Sequence, residues 1–309
     1  MRNTISALTP GGKLIMLLLA CMVAWLMVTA TLFASVPLIF GISIGQLPHI
    51  LSDASLEEWR YLMMYLQGGS SLGLFVGGAM LYGYYAEREQ HVGFNWASQS
   101  NSYTLFGVFI TLIVLLGLMP MVDLLDRLNQ MIVFPESLSF FETYLRERQD
   151  ALSDQIGALI HIESVTDFLL ATLVLAVIPA VGEEWVFRGK LQGLLQRITG
   201  SAHGGVWLTS LLFALFHQQF FTLLPMMFLA LFLGYIYAYT RSLWMVVAAH
   251  FVNNFASLLF VHFNNGDIHH QVDLPIWSYL LSGFLLLGGI ILLIFQWKKL
   301  GVYGHYSTH

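Results

Sequence analysis

The sequence predicts an all-α, polytopic transmembrane helical bundle of about eight spans. Apolar residues make up 57% of the chain and charged residues only 10%, whereas a soluble domain carries about 25% charged residues. The apolar residues form continuous blocks of roughly 18 to 25 residues, the helix length that crosses ~30 Å of hydrocarbon. Only helices and closed barrels satisfy every backbone amide within lipid. Because these blocks do not alternate as barrel strands do, helices are predicted.

The predicted spans fall in eight blocks. They lie near residues 14–42, 61–85, 104–121, 166–187, 205–220, 222–239, 242–262 and 276–297. The first block is too long for the apolar core of a cleaved signal peptide, so we expect a retained first span. The fifth and sixth blocks are nearly continuous. Pro225 marks the expected break between them, because proline interrupts helical hydrogen bonding.

The distribution of cations predicts the orientation. With the N-terminus in the cytoplasm, nine of the 13 Lys and Arg residues fall in cytoplasmic segments. These nine are Arg2, Lys13, Arg88, Arg188, Lys190, Arg197, Arg241, Lys298 and Lys299, and the four on the outer side are Arg60, Arg127, Arg146 and Arg148. Since Lys and Arg are enriched in cytoplasmic loops, we expect both termini in the cytoplasm of a protein of the bacterial inner membrane.

Four regions are predicted along the chain. They are a three-span N-terminal region (1–121), an extracytoplasmic loop (122–165), a core with the candidate site (166–262), and the last span with a cytoplasmic tail (263–309). The loop mixes apolar residues such as Phe140 and Tyr144 with charged residues such as Glu142. This pattern is typical of an amphipathic helix on the membrane surface, and a solvated connector is the alternative.

Glu183, Glu184 and Arg188 form the strongest candidate group of functional residues. They stand in the segment Ala-Val-Gly-Glu-Glu-Trp-Val-Phe-Arg-Gly, residues 180–189, at the end of an apolar block where ionisable side chains are costly unless paired. On a helix, Glu184 and Arg188 are four residues apart and can neutralise each other. Glu183 lies ~100° further around the helix, so we expect it to be the reactive carboxylate. Anchoring of the helix end at the lipid headgroups is the alternative.

Two histidine motifs follow in later apolar blocks. Phe213 and His217 are four residues apart, as are His250 and Asn254, and Asn253 stands beside Asn254. Residues four apart share a helix face, and polar side chains in a span are expected to face the bundle interior. Hydrogen bonding between helices is the alternative role. Together the motifs supply an acid, imidazoles and amides, which suits the activation of water in a polar intramembrane cavity formed by the C-terminal spans.

The ordered set resembles the motifs of the CPBP (Abi) family, the membrane peptidases related to the type II CAAX prenyl endopeptidases. That family carries Glu-Glu-x-x-x-Arg, Phe-x-x-x-His and His-x-x-x-Asn motifs on separate helices. Here they are Glu183-Glu184-x-x-x-Arg188, Phe213-x-x-x-His217 and His250-x-x-x-Asn254. The resemblance covers residues 166–262. It implies an intramembrane endopeptidase that hydrolyses peptide bonds of membrane-embedded or lipidated proteins with a glutamate-activated water.

The resemblance also implies roles for individual residues. Those that would carry catalysis are Glu183, His217, His250 and Asn254. Those that would support them are Glu184, Arg188, Phe213 and Asn253. The first carboxylate and the first histidine would activate water, and the second histidine with its asparagine would stabilise the oxyanion. An amide is a suitable oxyanion donor, and such a donor contributes ~3–4 kcal/mol.

Helical rise creates one difficulty for this arrangement. If the fourth span starts near residue 166, Glu183 lies close to its cytoplasmic end, whereas His217 lies ~20 Å along the fifth span. We therefore expect the fifth span to start later, tilt or break. The site is expected below the cytoplasmic surface, open to water from that side.

A zinc enzyme is the nearest alternative mechanism. Glu183, His217 and His250 match the ligand count of a catalytic zinc site. The chain contains no His-Glu-x-x-His motif, and asparagine is an unusual zinc ligand. The resemblance implies no cofactor, and metal dependence is the alternative.

A serine mechanism has a weaker basis. The segment Gly69-Ser-Ser-Leu-Gly73 fits Gly-x-Ser-x-Gly, but a nucleophile elbow requires a strand-to-helix turn. Gly69, Gly73 and Gly77 recur every four residues, which is typical of closely packed membrane helices. We therefore expect helix packing at these positions.

Other function classes stay open. A proton-coupled transporter also uses intramembrane carboxylates and histidines. A non-catalytic membrane interaction or bacteriocin-immunity role is a further alternative, because the CPBP family has been linked to bacteriocin self-protection. The chain has no basic patch for nucleic acid and a single cysteine, Cys21, hence no disulfide framework. The expected partners are membrane lipids and a membrane-embedded or lipidated protein substrate.

Overall fold

The computed structural model of the protein describes residues 8–53, 57–86, 101–264, 267 and 273–299. Every regular element within these residues is helical, which confirms the all-α class. Arg2, Arg88 and the tail beyond residue 299, on which part of the predicted orientation rests, lie outside the described residues.

Ten helices account for most of the described chain. Their bounds are α1 Pro10–Phe40, α2 Leu47–Ser52, α3 Glu57–Ser71 continued by a π-helical turn Leu72–Gly77 into Gly78–Ala86, α4 Asn101–Gln130, α5 Ser139–Leu159, α6 Val165–Thr199, α7 Ala202–Phe216, α8 Leu223–Thr240, α9 Leu243–Phe263 and α10 Ile276–Lys299. Helix α6 contains π-helical turns at Leu173–Val177 and Phe187–Gln192. Short 3-10 turns lie at Ile44–Gln46, Glu136–Leu138 and Phe220–Thr222.

Several of these helices suit a membrane. Five are long and apolar enough to cross one: Pro10–Phe40, Gly107–Gln130, Val165–Thr199, Phe220–Thr240 and Leu243–Phe263. Two shorter apolar helices are Ala202–Phe216 and Ile276–Gly289. The polytopic helical bundle is thereby confirmed, and the count of eight spans stays a prediction.

The helix that carries the fourth predicted span extends beyond the predicted span end at residue 187. Helix α6 continues to Thr199 and has 35 residues, so Glu183 lies near its middle rather than close to its cytoplasmic end. Arg188 and Lys190, expected in a cytoplasmic segment, are buried. Polar residues after Phe187 suggested the end of the span, but protein rather than water covers them.

The predicted break between the fifth and sixth spans is also misplaced. Helix α7 ends at Phe216, and Gln218 adopts a left-handed backbone with φ of 57°. Helix α8 begins at Leu223. Pro225 lies in the first turn of α8, where a missing N–H group removes no helical hydrogen bond. The break is therefore made by the chain at residues 217–219.

The chain divides into two compact units. The first is built from Met1–Phe94, Ser153–Leu194 and Asn253–His270, and the second from Asn95–Leu152, Leu195–Val252 and Gln271–His309. The boundaries fall within α5, α6 and α9, so each of these helices contributes to both units.

Glycines bring α1 and α3 together in the first unit. A Cβ added at Gly73 would lie 2.7 Å from Cβ of Val28, and one at Gly77 would lie 3.3 Å from Cβ of Ala24. Gly69 makes a similar close approach to α1. The four-residue spacing therefore serves helix packing, as predicted.

The structure shows no nucleophile elbow at Gly69–Gly73. Ser71 ends the first segment of α3 and is followed directly by the π-helical turn, so no strand precedes it. Its neighbour Ser70 is hydrogen-bonded to Thr29, with 3.1 Å between the two hydroxyl oxygens. This threonine–serine hydrogen bond links α1 to α3.

An apolar core and a polar group beside it hold the start of α6 in the first unit. The core residues are Trp59, Met64, Leu159, Ile160, Ala171, Val174, Leu258 and Val261. The carboxylate of Asp167 accepts hydrogen bonds from Arg60 at 2.9 Å, from the Tyr61 hydroxyl at 2.8 Å and from the Ser164 backbone at 2.9 Å. This ion pair and capping box fix the N-terminus of α6.

In the second unit, α4 packs against α8 and α10, and α7 packs against α8. A Cβ added at Gly117 of α4 would lie 2.9 Å from Cβ of Leu285 in α10. The predicted extracytoplasmic loop, residues 122–165, contains the end of α4 and all of α5. Phe140 and Tyr144 near the start of α5 are exposed, whereas Gln149 is buried. The region is thus helical, and its location at a membrane surface stays a prediction.

Candidate active site

The acidic motif lies in the middle of α6 with its side chains buried. The Arg188 guanidinium donates through Nη1 to Oε1 of Glu184 at 2.7 Å, and both side chains are fully shielded from solvent. This confirms the ion pair that the spacing predicts. Glu183 is also buried, with 8% of its surface exposed. Electrostatic interactions are strong in such surroundings because little water is present to screen them.

Arg188 interacts electrostatically with both carboxylates, and its interaction with Glu184 is the stronger of the two. The four-residue spacing predicted a pairing of this cation with Glu184 alone. The π-helical turn Phe187–Gln192 starts immediately before Arg188, and the spacing of 100° per residue does not hold through such a turn. π-Helical turns are frequent at functional sites.

Lys190 and Gln192 are buried polar residues that the sequence analysis did not select as site residues. Lys190 is 7% exposed and Gln192 is fully buried. Lys190 shares its π-helical turn with Arg188, so α6 brings two cations close to two carboxylates along the chain. Because Lys190 follows an apolar block in the sequence, it was expected at the membrane surface rather than in the protein interior.

Close packing of α6 on α3 contributes to the burial of the acidic motif. A Cβ added at Gly182 would lie 2.8 Å from Cβ of Phe75. The Phe75 ring also contacts the ring of Phe187, with 6.2 Å between centroids. The π-helical turn of α3, which contains Phe75, thus lies against the segment that carries Glu183.

The two histidines meet around one aromatic ring in the second unit. The centroid of the Phe213 ring lies 4.7 Å from that of His217 and 5.9 Å from that of His250. Phe213 and His250 are buried, and His217 is half-buried at the C-terminal end of α7. Phe213 was expected only to support the site, whereas its ring contacts both imidazoles.

A backbone contact fixes the tautomer of neutral His217. Its Nδ1 lies 2.9 Å from the carbonyl oxygen of Phe213. A carbonyl oxygen can only accept, so Nδ1 carries the proton and donates it. In the neutral ring, Nε2 is then the nitrogen that can accept a proton. This is the arrangement that a general base requires.

Helix α9 carries the third motif. His250 and Asn254 are one α-helical turn apart on this continuous helix. Nδ2 of Asn253 donates to Oδ1 of Asn254 at 3.3 Å. That contact orients the Asn254 amide. Its oxygen accepts from Asn253, and its NH₂ group remains able to donate to another acceptor. An amide oriented in this way suits stabilisation of an oxyanion.

The predicted site residues thus form groups within the two units. The first unit contains Glu183, Glu184, Arg188, Asn253 and Asn254, and the second contains Phe213, His217 and His250. Among the residues that the structure describes, no group of three or more His, Cys, Asp or Glu side chains is placed to hold a metal ion.

The helices that carry these residues match a known family. The family model for type II CAAX prenyl endopeptidase Rce1-like proteins matches residues 165–256. Residues 165–256 are named the Rce1-like segment for this similarity. It begins at the first residue of α6, ends within α9 and contains all three motifs, which confirms the resemblance noted from the sequence. The Rce1-like segment covers less than a third of the chain.

No curated protein and no solved structure matches the chain. The five long apolar helices, together with the match of residues 165–256 to a family of membrane endopeptidases, support an integral membrane protein.

Proposed function

We propose that the protein is an intramembrane endopeptidase that hydrolyses peptide bonds of membrane-embedded or lipidated proteins. The observation that carries this proposal is the set of three motifs, in order, within the Rce1-like segment. Two further findings support it. The acidic motif is buried at mid-helix, and His217 is held in the tautomer of a base by the Phe213 carbonyl.

In the proposed reaction, the carboxylate of Glu183, assisted by Nε2 of His217, removes a proton from a water molecule. The resulting hydroxide attacks the carbonyl carbon of the scissile peptide bond, and the carbonyl oxygen becomes an oxyanion. Hydrogen-bond donors from His250 and Asn254 stabilise that charge, a contribution of ~3–4 kcal/mol for one such donor. The C–N bond then breaks, and the departing nitrogen receives the proton held by Glu183. The products are a new carboxylate and a new amine.

Glu184 and Arg188 are proposed to hold the geometry of this site. Their ion pair is fully buried, and it ties the acidic motif to the π-helical turn of α6. Because Glu184 already accepts from Arg188 at 2.7 Å, it is the poorer general base of the two carboxylates.

Helical rise supports the joint action of Glu183 and His217. At 1.5 Å per residue, Glu183 lies ~24 Å before the end of α6, and His217 lies ~22 Å beyond the start of α7. Helices α6 and α7 are joined at Gly200 and Ser201, with Gly200 in the left-handed conformation at φ of 65°. Both residues are therefore about equally far along the chain from the connection between α6 and α7. Their meeting at one site is part of the proposal.

The test is a comparison of protein N-termini in membranes by mass spectrometry. Cells carry the wild-type protein, Glu183→Gln or the control Glu163→Gln at equal abundance; Glu163 is an exposed carboxylate in the connection before α6. We expect new termini with the wild type and with Glu163→Gln but not with Glu183→Gln. If all three sets of termini are identical and Glu183→Gln still complements a deletion, the protein acts by binding or transport.

A zinc-dependent version of the same reaction is tested on the purified protein. Metal analysis and activity after chelation separate the two mechanisms. The proposal of a metal-independent reaction predicts full activity of chelator-treated, metal-free protein. Loss of activity that zinc restores would establish the zinc-dependent mechanism instead.

A further inference from the structure

The turn that follows His217 is held by side chains from outside the Rce1-like segment. Residues 217–222 join α7 to α8, and buried polar side chains of α4 and α5 contact this turn from within the same unit. These contacts join residues 72 to 95 positions apart in the sequence, so no local pattern predicts them.

Asn129 binds the turn through both ends of its amide. Nδ2 donates to the carbonyl oxygen of Phe220 at 3.0 Å, and Oδ1 accepts from the backbone N–H of Leu224 at 2.7 Å. Asn129 is 1% exposed. The adjacent Gln130 donates to the carbonyl oxygen of Phe221 at 3.1 Å. The end of α4 therefore satisfies backbone groups that the interruption between α7 and α8 leaves outside a helix.

Buried side chains of α5 contact the same turn. Oε1 of Gln149 accepts from the backbone N–H of Phe221 at 2.9 Å. The Arg146 guanidinium lies over the ring of Phe221, 3.9 Å from its centroid, within the range of a cation–π interaction. Phe221 is 1% exposed, so its backbone and its ring are both fixed.

Arg146 is itself oriented by the start of α5. It donates to Glu142 at 2.9 Å and to the carbonyl oxygen of Ile132 at 3.0 Å. Glu142 in turn accepts from the backbone N–H of Phe134 at 2.8 Å. A continuous set of contacts thus leads from the connection between α4 and α5 to Phe221.

The backbone beside His217 needs such support. Gln218 adopts a left-handed conformation at φ of 57°, which is unfavourable for a residue with a side chain and persists only when surrounding contacts impose it. His217 directly precedes it and is the C-cap residue of α7. The backbone of His217 is therefore joined directly to this turn.

We propose that Asn129, Arg146 and Gln149 are positioning residues for His217. The expected effect of these residues on catalysis rests on the proposed function. The end of α4 together with α5, which the sequence analysis left without a role, would hold the turn so that Nε2 of His217 meets the reacting water. A displacement of about 1 Å at a reacting group can lower the rate about 100-fold.

Gln149 allows a matched test in the full-length protein. Gln149→Met keeps the length of the side chain and removes the acceptor, whereas Gln149→Glu keeps a carboxylate oxygen to accept from Phe221. Gln155→Met makes the same change on the exposed side of α5. Two properties are measured for each: kcat and KM on a substrate found by the N-terminus comparison, and the rate at which diethyl pyrocarbonate modifies His217, followed by mass spectrometry.

We expect Gln149→Met to lower kcat about 10-fold to 100-fold with KM within about twofold, and to change the modification rate of His217. Gln149→Glu should restore both properties, and Gln155→Met should leave both unchanged. An unchanged modification rate in Gln149→Met would overturn the positioning role even if the protein is a peptidase. So would a changed rate with unchanged kcat. If the wild type cleaves nothing but the His217 rate still responds and is rescued, the proposed function fails while the positioning role stands.

Discussion

Nδ1 of His217 donates a hydrogen bond to the carbonyl oxygen of Phe213 at 2.9 Å. The bond closes within one helix, between residues four apart, and it turns Nε2 into the accepting nitrogen of the neutral ring. The ring of Phe213 also contacts His250. One residue therefore sets the tautomer of the first histidine through its backbone and packs against both imidazoles through its side chain.

Replacement of Phe213 tests the second of these contacts. In Phe213→Leu the backbone bond to His217 remains, but the ring between the histidines is lost. We expect kcat to fall about 10-fold, and stability to fall by about 1–2 kcal/mol because aromatic pairs contribute ~0.5–1.5 kcal/mol beyond their buried area. Steady-state kinetics and unfolding in detergent measure the two effects. Phe109→Leu, at an exposed site on α4, serves as the control and should change neither.

The buried pair Glu184–Arg188 predicts a strongly non-additive double-mutant cycle. Arg188→Met leaves a buried carboxylate without its cation and should destabilise the protein by about 3–5 kcal/mol. Adding Glu184→Met should recover much of that loss, because replacing both charges with apolar side chains is often nearly neutral. Reversible unfolding of the purified protein measures each variant. Losses that simply add would show that the pair contributes little.

The packing of α3 on α1 predicts a graded response to added methyl groups. Gly73→Ala would place Cβ 2.7 Å from Val28, whereas Gly77→Ala would place it 3.3 Å from Ala24. We expect Gly73→Ala to destabilise by about 1–3 kcal/mol, the usual cost of overpacking, and Gly77→Ala to cost less. Val28→Ala should relieve Gly73→Ala, which unfolding of the double variant would reveal. Equal losses of stability in Gly73→Ala and Gly77→Ala would contradict a closer approach of α1 to α3 at Gly73 than at Gly77.

Glu142 predicts a pH dependence at the start of α5. The backbone N–H of Phe134 and then Arg146 lower the pKa of Glu142 below its ordinary value of 4.5. A carboxyl group with a lowered folded pKa stabilises the folded state above its unfolded pKa, and that contribution is lost as pH falls through the folded pKa. We therefore expect hydrogen exchange around residues 134–146, corrected for its intrinsic pH dependence, to increase below about pH 4.5.

The variant Glu142→Gln isolates this carboxyl group. It should exchange faster at neutral pH and lose the additional increase in acid. The control Glu147→Gln, at an exposed position of the same helix, should behave as the wild type. An acid response that survives in Glu142→Gln must come from other groups.

Much of this protein follows from the sequence alone. The apolar blocks predicted a polytopic helical protein, the spacing of Glu184 and Arg188 predicted their ion pair, and the recurrence of Gly69, Gly73 and Gly77 predicted close helix packing. These features depend on residues near in sequence, because helical periodicity fixes which side chains share a face. The ordered motifs also led to the family that the Rce1-like segment matches.

The tertiary structure decided the features that depend on distant residues. It buried Lys190 and Arg188 inside a helix that hydropathy had ended at residue 187, since a cation covered by protein has the same sequence pattern as one at the membrane surface. It showed that the helix break after α7 lies at Gln218 rather than at Pro225. The left-handed conformation of Gln218 depends on contacts from distant residues, which the local sequence does not reveal. It also brought Asn129 and Gln149 to Phe220 and Phe221. Such hydrogen bonds form only when helices far apart in the chain pack together, and no periodicity within either segment encodes them.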